Sequence, residues 1–433
     1  MLATTVIVGS VRRFLDVVQQ RAVYLWVLLS IPAVSTFGHY LAPNRPFFKG
    51  HDLGILAALT LALVVALLWI PFKRRDRWPS ATFIFLVLVG IAWAYQILRI
   101  QTDNSLFNLT AFVVPVALLL LAIKPMDRSD LRIGLLVLGY SLLTISAVSL
   151  VLGSLGVVPS GFDVSDGGGT RIPIFLEWGI TRWGGPFGSV NYAAPIGGLL
   201  ILIGLTTVGK GRPPLVFGGL LVLVLSQGRT ALFAVLAAII IRLLWSDRIS
   251  RLANIVAIRV TAILGFLAVS LSYVLVFDPT LSYRTFLWSS YSPLFDDSPL
   301  IGIGDSGIRE HVATQAQLPD ALLHDHAHSV LLDAYVRFGL VLVLLGLAIY
   351  FIALRSSFRG IPAVGSGPLS LVVFVIVAGL TETIYSWNYW SVYIAILVWS
   401  VLVTTTPVDD TSGVPKTADP ISSPRDASSS HSA

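Results

Sequence analysis

Residues 324–354 read HDHAHSVLLDAYVRFGLVLVLLGLAIYFIAL, and this stretch decides the fold. From Phe338 to Leu354 it is apolar without interruption, and with the turn before it the run is long enough to cross a bilayer core of roughly 30 Å as a helix. Comparable runs recur through the chain. They place spans at 22–41, 52–72, 79–100, 105–123, 131–157, 189–208, 213–226, 229–246, 257–277, 328–354, 368–384 and 388–405. The seventh is short, which suggests a broken or partly re-entrant segment. The expected fold class is therefore an all-α polytopic membrane protein of about twelve transmembrane helices, with a long extracytoplasmic loop between spans nine and ten.

Composition agrees. Of 433 residues, 55% are hydrophobic and 12% charged, and the mean hydropathy is +0.82. Soluble domains carry about twice that charged fraction. The net charge of +6 does not point to nucleic acid, because the basic residues sit in short loops between apolar runs. Alternate loops and the tail hold 20 of the 29 Lys and Arg residues, among them Lys73, Arg74, Arg75 and Arg77, while the opposite loops hold 8 and Arg337 falls inside a span. The rich side is expected to be cytoplasmic, with both termini there. No cysteine is present, so disulfides and thiolate metal sites are excluded. No cleavable signal segment is evident before the first span.

Two loops on the poorer side are long, at about 159–188 and 278–327, and long loops are where function concentrates. Residues after about Thr406 are rich in Ser, Pro, Asp and Thr and read as a disordered cytoplasmic tail. This divides the chain into N-terminal transmembrane helices (1–184), a catalytic membrane region (185–405) and the tail (406–433).

The chemistry gathers in and around the second loop. Four of the seven histidines lie there: His311, His324, His326 and His328. His328 stands where the loop enters the span, and a neutral imidazole with a pKa of about 6.5 can take a proton at ambient pH. Zinc held by alternate histidines with Asp325 or Asp305 is the competing chemistry, but no second ligand cluster accompanies them. Arg229 follows Ser226-Gln227-Gly228 in a tight turn between two spans. Arg284 lies in Tyr283-Arg284-Thr285-Phe286-Leu287-Trp288, and Arg337 lies in the span after His328. An arginine in or beside hydrocarbon is costly and usually faces a partner or polar cavity, although snorkelling to headgroups is the plainer alternative. Guanidinium forks onto phosphate oxygens, so these three are candidate ligands of a lipid diphosphate. Asn191 brings a polar group to the start of another span. Glu382 and Asn388 sit at the last turn, where hydration explains an acid as well as substrate anchoring does. Tyr385, Trp387 and Trp390 read as an aromatic belt.

In order, Gly185-Pro186-Phe187-Gly188 with Asn191, Ser226-Gln227-Gly228-Arg229-Thr230-Ala231, Arg284 with Trp288, Pro299-Leu300-Ile301-Gly302-Ile303-Gly304, His326-Ala327-His328 and Phe338-Gly339-Leu340 resemble the O-antigen ligase/polymerase superfamily of bacterial envelope glycosyltransferases. The resemblance runs from about Gly185 to Gly339, and the first five spans match only in hydropathy. It implies a metal-independent, cofactor-free enzyme of the bacterial inner membrane whose donor is a glycan on a polyprenyl diphosphate and whose acceptor is a glycan, lipid or protein. It implies that Arg229 and Arg284 hold the diphosphate and that His328 activates the acceptor hydroxyl, supported by Asn191, Ser226, His326 and Ser329. The family usually has Asn after that histidine. Ser329 stands here instead, which still donates a hydrogen bond but changes how an acceptor is positioned. Ligase and polymerase are not separated at this level. A transporter or lipid flippase without chemistry is the reading from another class; it calls for polar groups near the bilayer midplane, whereas here they gather at one face.

Overall fold

The computed structural model describes residues 80–99, 128–157, 162, 181–187, 189–207, 212–246, 284–314, 327–384 and 391–405, with isolated positions between 256 and 267. The expected spans at 22–41, 52–72 and 105–123, the tail, and His324, His326, Tyr385, Trp387, Asn388 and Trp390 lie outside them. The described residues are all-α. They form α1 (Ser80–Arg99), α2 (Arg128–Ser154), a single 3₁₀ turn (Gly185–Phe187), α3 (Val190–Thr206), α4 (Arg212–Ser226), α5 (Arg229–Leu244), α6 (Arg284–Tyr291), α7 (Leu294–Asp297), α8 (Gly304–Thr314), α9 (Val330–Arg359), α10 (Ile361–Val364), α11 (Gly367–Thr381) and α12 (Val392–Thr405).

Among the described residues, two helices are long and apolar enough to cross a membrane, over Leu131–Ser154 and Val330–Arg359. α3, α4, α5, α11 and α12 are apolar but run only 14–17 residues. α4 is a continuous helix of 15 residues, about 22 Å long, so its shortness does not come from a break within 212–226. α12 is buried on every side from Val392 to Val403, and α3 nearly so, which is what helices apolar all round must do. α3 and α4 pack backbone to backbone. A Cβ on Gly197 would lie 2.7 Å from Leu223 N and one on Gly219 2.6 Å from Gly197 O, a small-residue contact of the kind that joins helices within membranes.

The contacts sort the bundle into two ends. At one, Ser366 Oγ donates to Arg242 O at 3.0 Å, Arg128 reaches Ala363 O, and Trp399 Nε1 donates to Leu131 O at 2.7 Å. Arg212 and Arg242 here donate to the last carbonyls of α3, Arg242 Nη2 reaching Leu205 O at 2.6 Å. Cations at a helix C-terminus meet the negative end of its dipole. At the other end lie the starts of α3, α5 and α9 and the last residues of α4 and α11. Here Trp183 N–H donates to Leu225 O at 3.0 Å and Gly228 closes on Ala194.

The long loop expected at 278–327 carries α6, α7 and α8 among its described residues. They rest on the start of α9 around a small second core of Leu287, Tyr291, Ile308, Ala327 and Val336. α9 itself is interrupted at Gly339, where φ is 74° and ψ −172°. The Pro299–Gly304 segment fills the break: Leu340 N–H donates to Pro299 O at 2.9 Å, Val341 N–H to Leu300 O at 3.3 Å, and Ile303 N–H to Val336 O at 2.9 Å. Three of the groups released by the kink are thereby satisfied, and Tyr95 Oη–H donates to a fourth, Phe338 O, at 2.9 Å. Gly302 and Gly339 both have positive φ, and a Cβ on either would overlap the other segment's backbone.

Candidate active site

His328 sits immediately before the N-cap of α9, with φ at +50°. This left-handed conformation is uncommon outside glycine, although histidine adopts it more readily than most residues. It turns the chain sharply out of the loop and into the helix, between residues that are themselves held by hydrogen bonds. Ser329 is the N-cap, its Oγ accepting from Leu332 N–H at 3.4 Å. Trp288 Nε1 donates to Ala327 O at 2.8 Å. Ala327, His328 and Ser329 are all buried.

The imidazole meets Glu382, just past the end of α11. Nδ1 of His328 lies 2.9 Å from Oε2, and the other carboxylate oxygen, Oε1, takes Nη2 of Arg284. Glu382 is 4% exposed. One carboxylate therefore ties together the histidine at the head of α9 and the arginine at the head of α6. With Nδ1–H donated to the carboxylate, Nε2 carries the ring's lone pair. From the sequence, Glu382 stands between substrate anchoring and simple hydration, and nothing local pairs it with His328, 54 residues away.

Arg229 is the first residue of α5 and Arg284 the first of α6. A cation is electrostatically misplaced at a helix N-terminus, where the dipole is positive, so the position of Arg229, directly after the N-cap Gly228, suits an anion that meets guanidinium and helix end together. The turn before Arg229 is built like the one at His328. Gln227 has φ at +52° and is buried, and the end of α4 is closed from outside by Arg182 Nε donating to Ser226 O at 3.3 Å. Ser226 is fully buried, and its hydroxyl donates to Leu223 O at 3.1 Å. Ser226 thus shapes the turn. Arg229 lies at the same end of the bundle as Glu382, because α5 and α11 run antiparallel with Ser366 against Arg242 at the far end.

Of the other candidates, Asn191 is half-buried in the first turn of α3, its N–H donating to the N-cap Ser189 Oγ at 3.2 Å. Arg337 faces its own helix: Nε lies 3.0 Å from Asp333 Oδ2, at ion-pair distance without hydrogen-bond alignment. His326 is outside the described residues.

Residues 214–347 match the O-antigen ligase family model. The match supports the O-antigen ligase/polymerase superfamily assignment and, with it, a glycosyltransferase of ligase or polymerase type. It takes in α5, α6, the Pro299–Gly304 segment, the His328 turn and the Gly339 break, and it ends before Glu382. No curated protein matches the chain.

Proposed function

We propose that the chain is a polytopic inner-membrane glycosyltransferase that moves a glycan from a polyprenyl diphosphate to an acceptor hydroxyl on the extracytoplasmic face, with inversion. The observation that carries this reading is Glu382 joining His328 to Arg284. The acceptor oxygen attacks the anomeric carbon, and its proton passes to Nε2 of His328. The bond from that carbon to the diphosphate breaks, its electron pair leaving with the phosphate oxygen. Glu382 keeps Nδ1–H in place and stabilises the imidazolium that forms. Arg229 and Arg284 meet the charge developing on the diphosphate, the part a metal ion plays elsewhere. Glu382 contacts Arg284 through Nη2, one corner of a fork with several N–H donors, so phosphate recognition and the contact with Glu382 are geometrically compatible. The cation-rich end of the bundle, with Arg128, Arg212 and Arg242, would face the cytoplasm, which leaves His328 outside.

The test is the lipid-linked glycan content of cells carrying only His328→Ala. Accumulation of polyprenyl-linked glycan supports the transferase, and single units or finished chains then separate polymerase from ligase. A normal envelope glycan with no accumulation would overturn it.

A further inference from the structure

Asp333 is 8% exposed, in the first turn of a strongly apolar helix. Neither capping nor solubility accounts for it, since Ser329 already caps α9 and the carboxylate is withdrawn from water. A buried carboxylate is costly unless its partners compensate. Those partners are specific. Oδ1 accepts from Ala327 N–H at 3.3 Å, and Oδ2 faces Arg337 Nε at 3.0 Å. Ala327 is the residue before His328, and Trp288 holds its carbonyl at 2.8 Å. The Ala327 residue is thus gripped at both its N–H and its C=O, immediately upstream of the left-handed His328.

We propose that Asp333, with Arg337 as its counter-charge, is a positioning residue: it fixes the Ala327–His328 turn so that the imidazole stays on Glu382. This inference rests on the reading of His328 as the base. It gives Arg337 a role in turnover and none in holding the donor. It also links the base to the outer segment, because the backbone of Arg337 and Phe338 is the surface on which Gly302 closes. A small displacement of a reacting group suffices to slow chemistry by about a hundredfold.

The experiment uses full-length protein in lipid nanodiscs. Turnover is read as release of polyprenyl diphosphate from lipid-linked glycan extracted from a strain lacking the protein, and donor-site affinity is read with geranylgeranyl diphosphate as the probe. Asp333→Leu is expected to lose about a hundredfold in turnover while probe affinity stays within about twofold. Asp333→Asn keeps an oxygen for Ala327 N–H and is expected to stay within about fivefold of the parent. Arg337→Gln should lower turnover and leave affinity unchanged. Parental turnover in Asp333→Leu, or a loss of probe affinity in Arg337→Gln, overturns the inference. Should Asp333→Leu not accumulate, Asp333→Asn decides: a hundredfold loss despite the retained acceptor contradicts it, and near-parental turnover supports it. His328→Ala separates the two claims. Parental turnover there removes the base itself, whereas an inactive His328→Ala beside a fully active Asp333→Leu removes only the positioning role.

Discussion

Oε2 of Glu382 lies 2.9 Å from Nδ1 of His328, and the same carboxylate holds Arg284, so the proposed base and a proposed diphosphate ligand share one buried anion. The arrangement engages Nδ1 with the carboxylate, so Nε2 is the nitrogen that the proposed mechanism assigns to the acceptor. It also balances the charge of Arg284 at a largely buried position.

Glu382→Gln should therefore keep a hydrogen-bond acceptor for Nδ1–H but lose the charge. Transfer is expected to fall about tenfold or more, as orientation of the base is part of what general-base catalysis supplies. Glu382→Ala leaves Arg284 without this partner, and breaking such a buried pair costs about 3–5 kcal/mol. Thermal unfolding in detergent should register that loss.

Arg229→Lys and Arg284→Lys retain positive charge and lose the planar fork. Geranylgeranyl diphosphate should bind either variant more weakly, by roughly tenfold for each lost charge-assisted contact of about 1.5 kcal/mol. Unchanged affinity in both would assign these residues to structure.

Ser329→Ala removes the N-cap of α9 and should cost about 1 kcal/mol in thermal stability. Ser329→Asn restores a cap of equal quality. It should match the parent in stability, and any change in transfer would then report on the acceptor side.

Much of this was legible in the sequence. The helices Val190–Thr206 and Arg229–Leu244 begin and end within two residues of the apolar runs that announce them, because length and hydropathy alone specify such segments. The turns holding Arg229 and His328 were visible as polar residues at span boundaries. Glu382 was not. Its partners come from α6 and from the turn before α9, and pairing across elements leaves no local pattern. Asp333 was hidden for a different reason: an acid four residues before an arginine on a helix reads as an ordinary surface pair, and only its burial against Ala327 N–H shows otherwise. The loop at 278–327 was read by length, which says nothing of the three short helices within it.

The Pro299–Gly304 segment yields a prediction about folding. Gly339→Ala would place a Cβ against the Leu300 backbone at a φ of 74°, adding overlap to left-handed strain. Overpacking alone typically costs about 1–3 kcal/mol, so reduced accumulation and a lower unfolding temperature are expected. Gly365→Ala shares a positive φ but has open space around it, and should be markedly milder.

His328 is proposed to perform the proton transfer of a glycan transfer from a lipid diphosphate. The most direct measurement is release of polyprenyl diphosphate from the lipid-linked glycan by the full-length protein and by His328→Ala, each in nanodiscs and normalised to geranylgeranyl diphosphate binding. The account predicts release by the parent and a rate lower by about 10²–10⁴-fold in the variant at equal binding. Equal rates in the two proteins would contradict it.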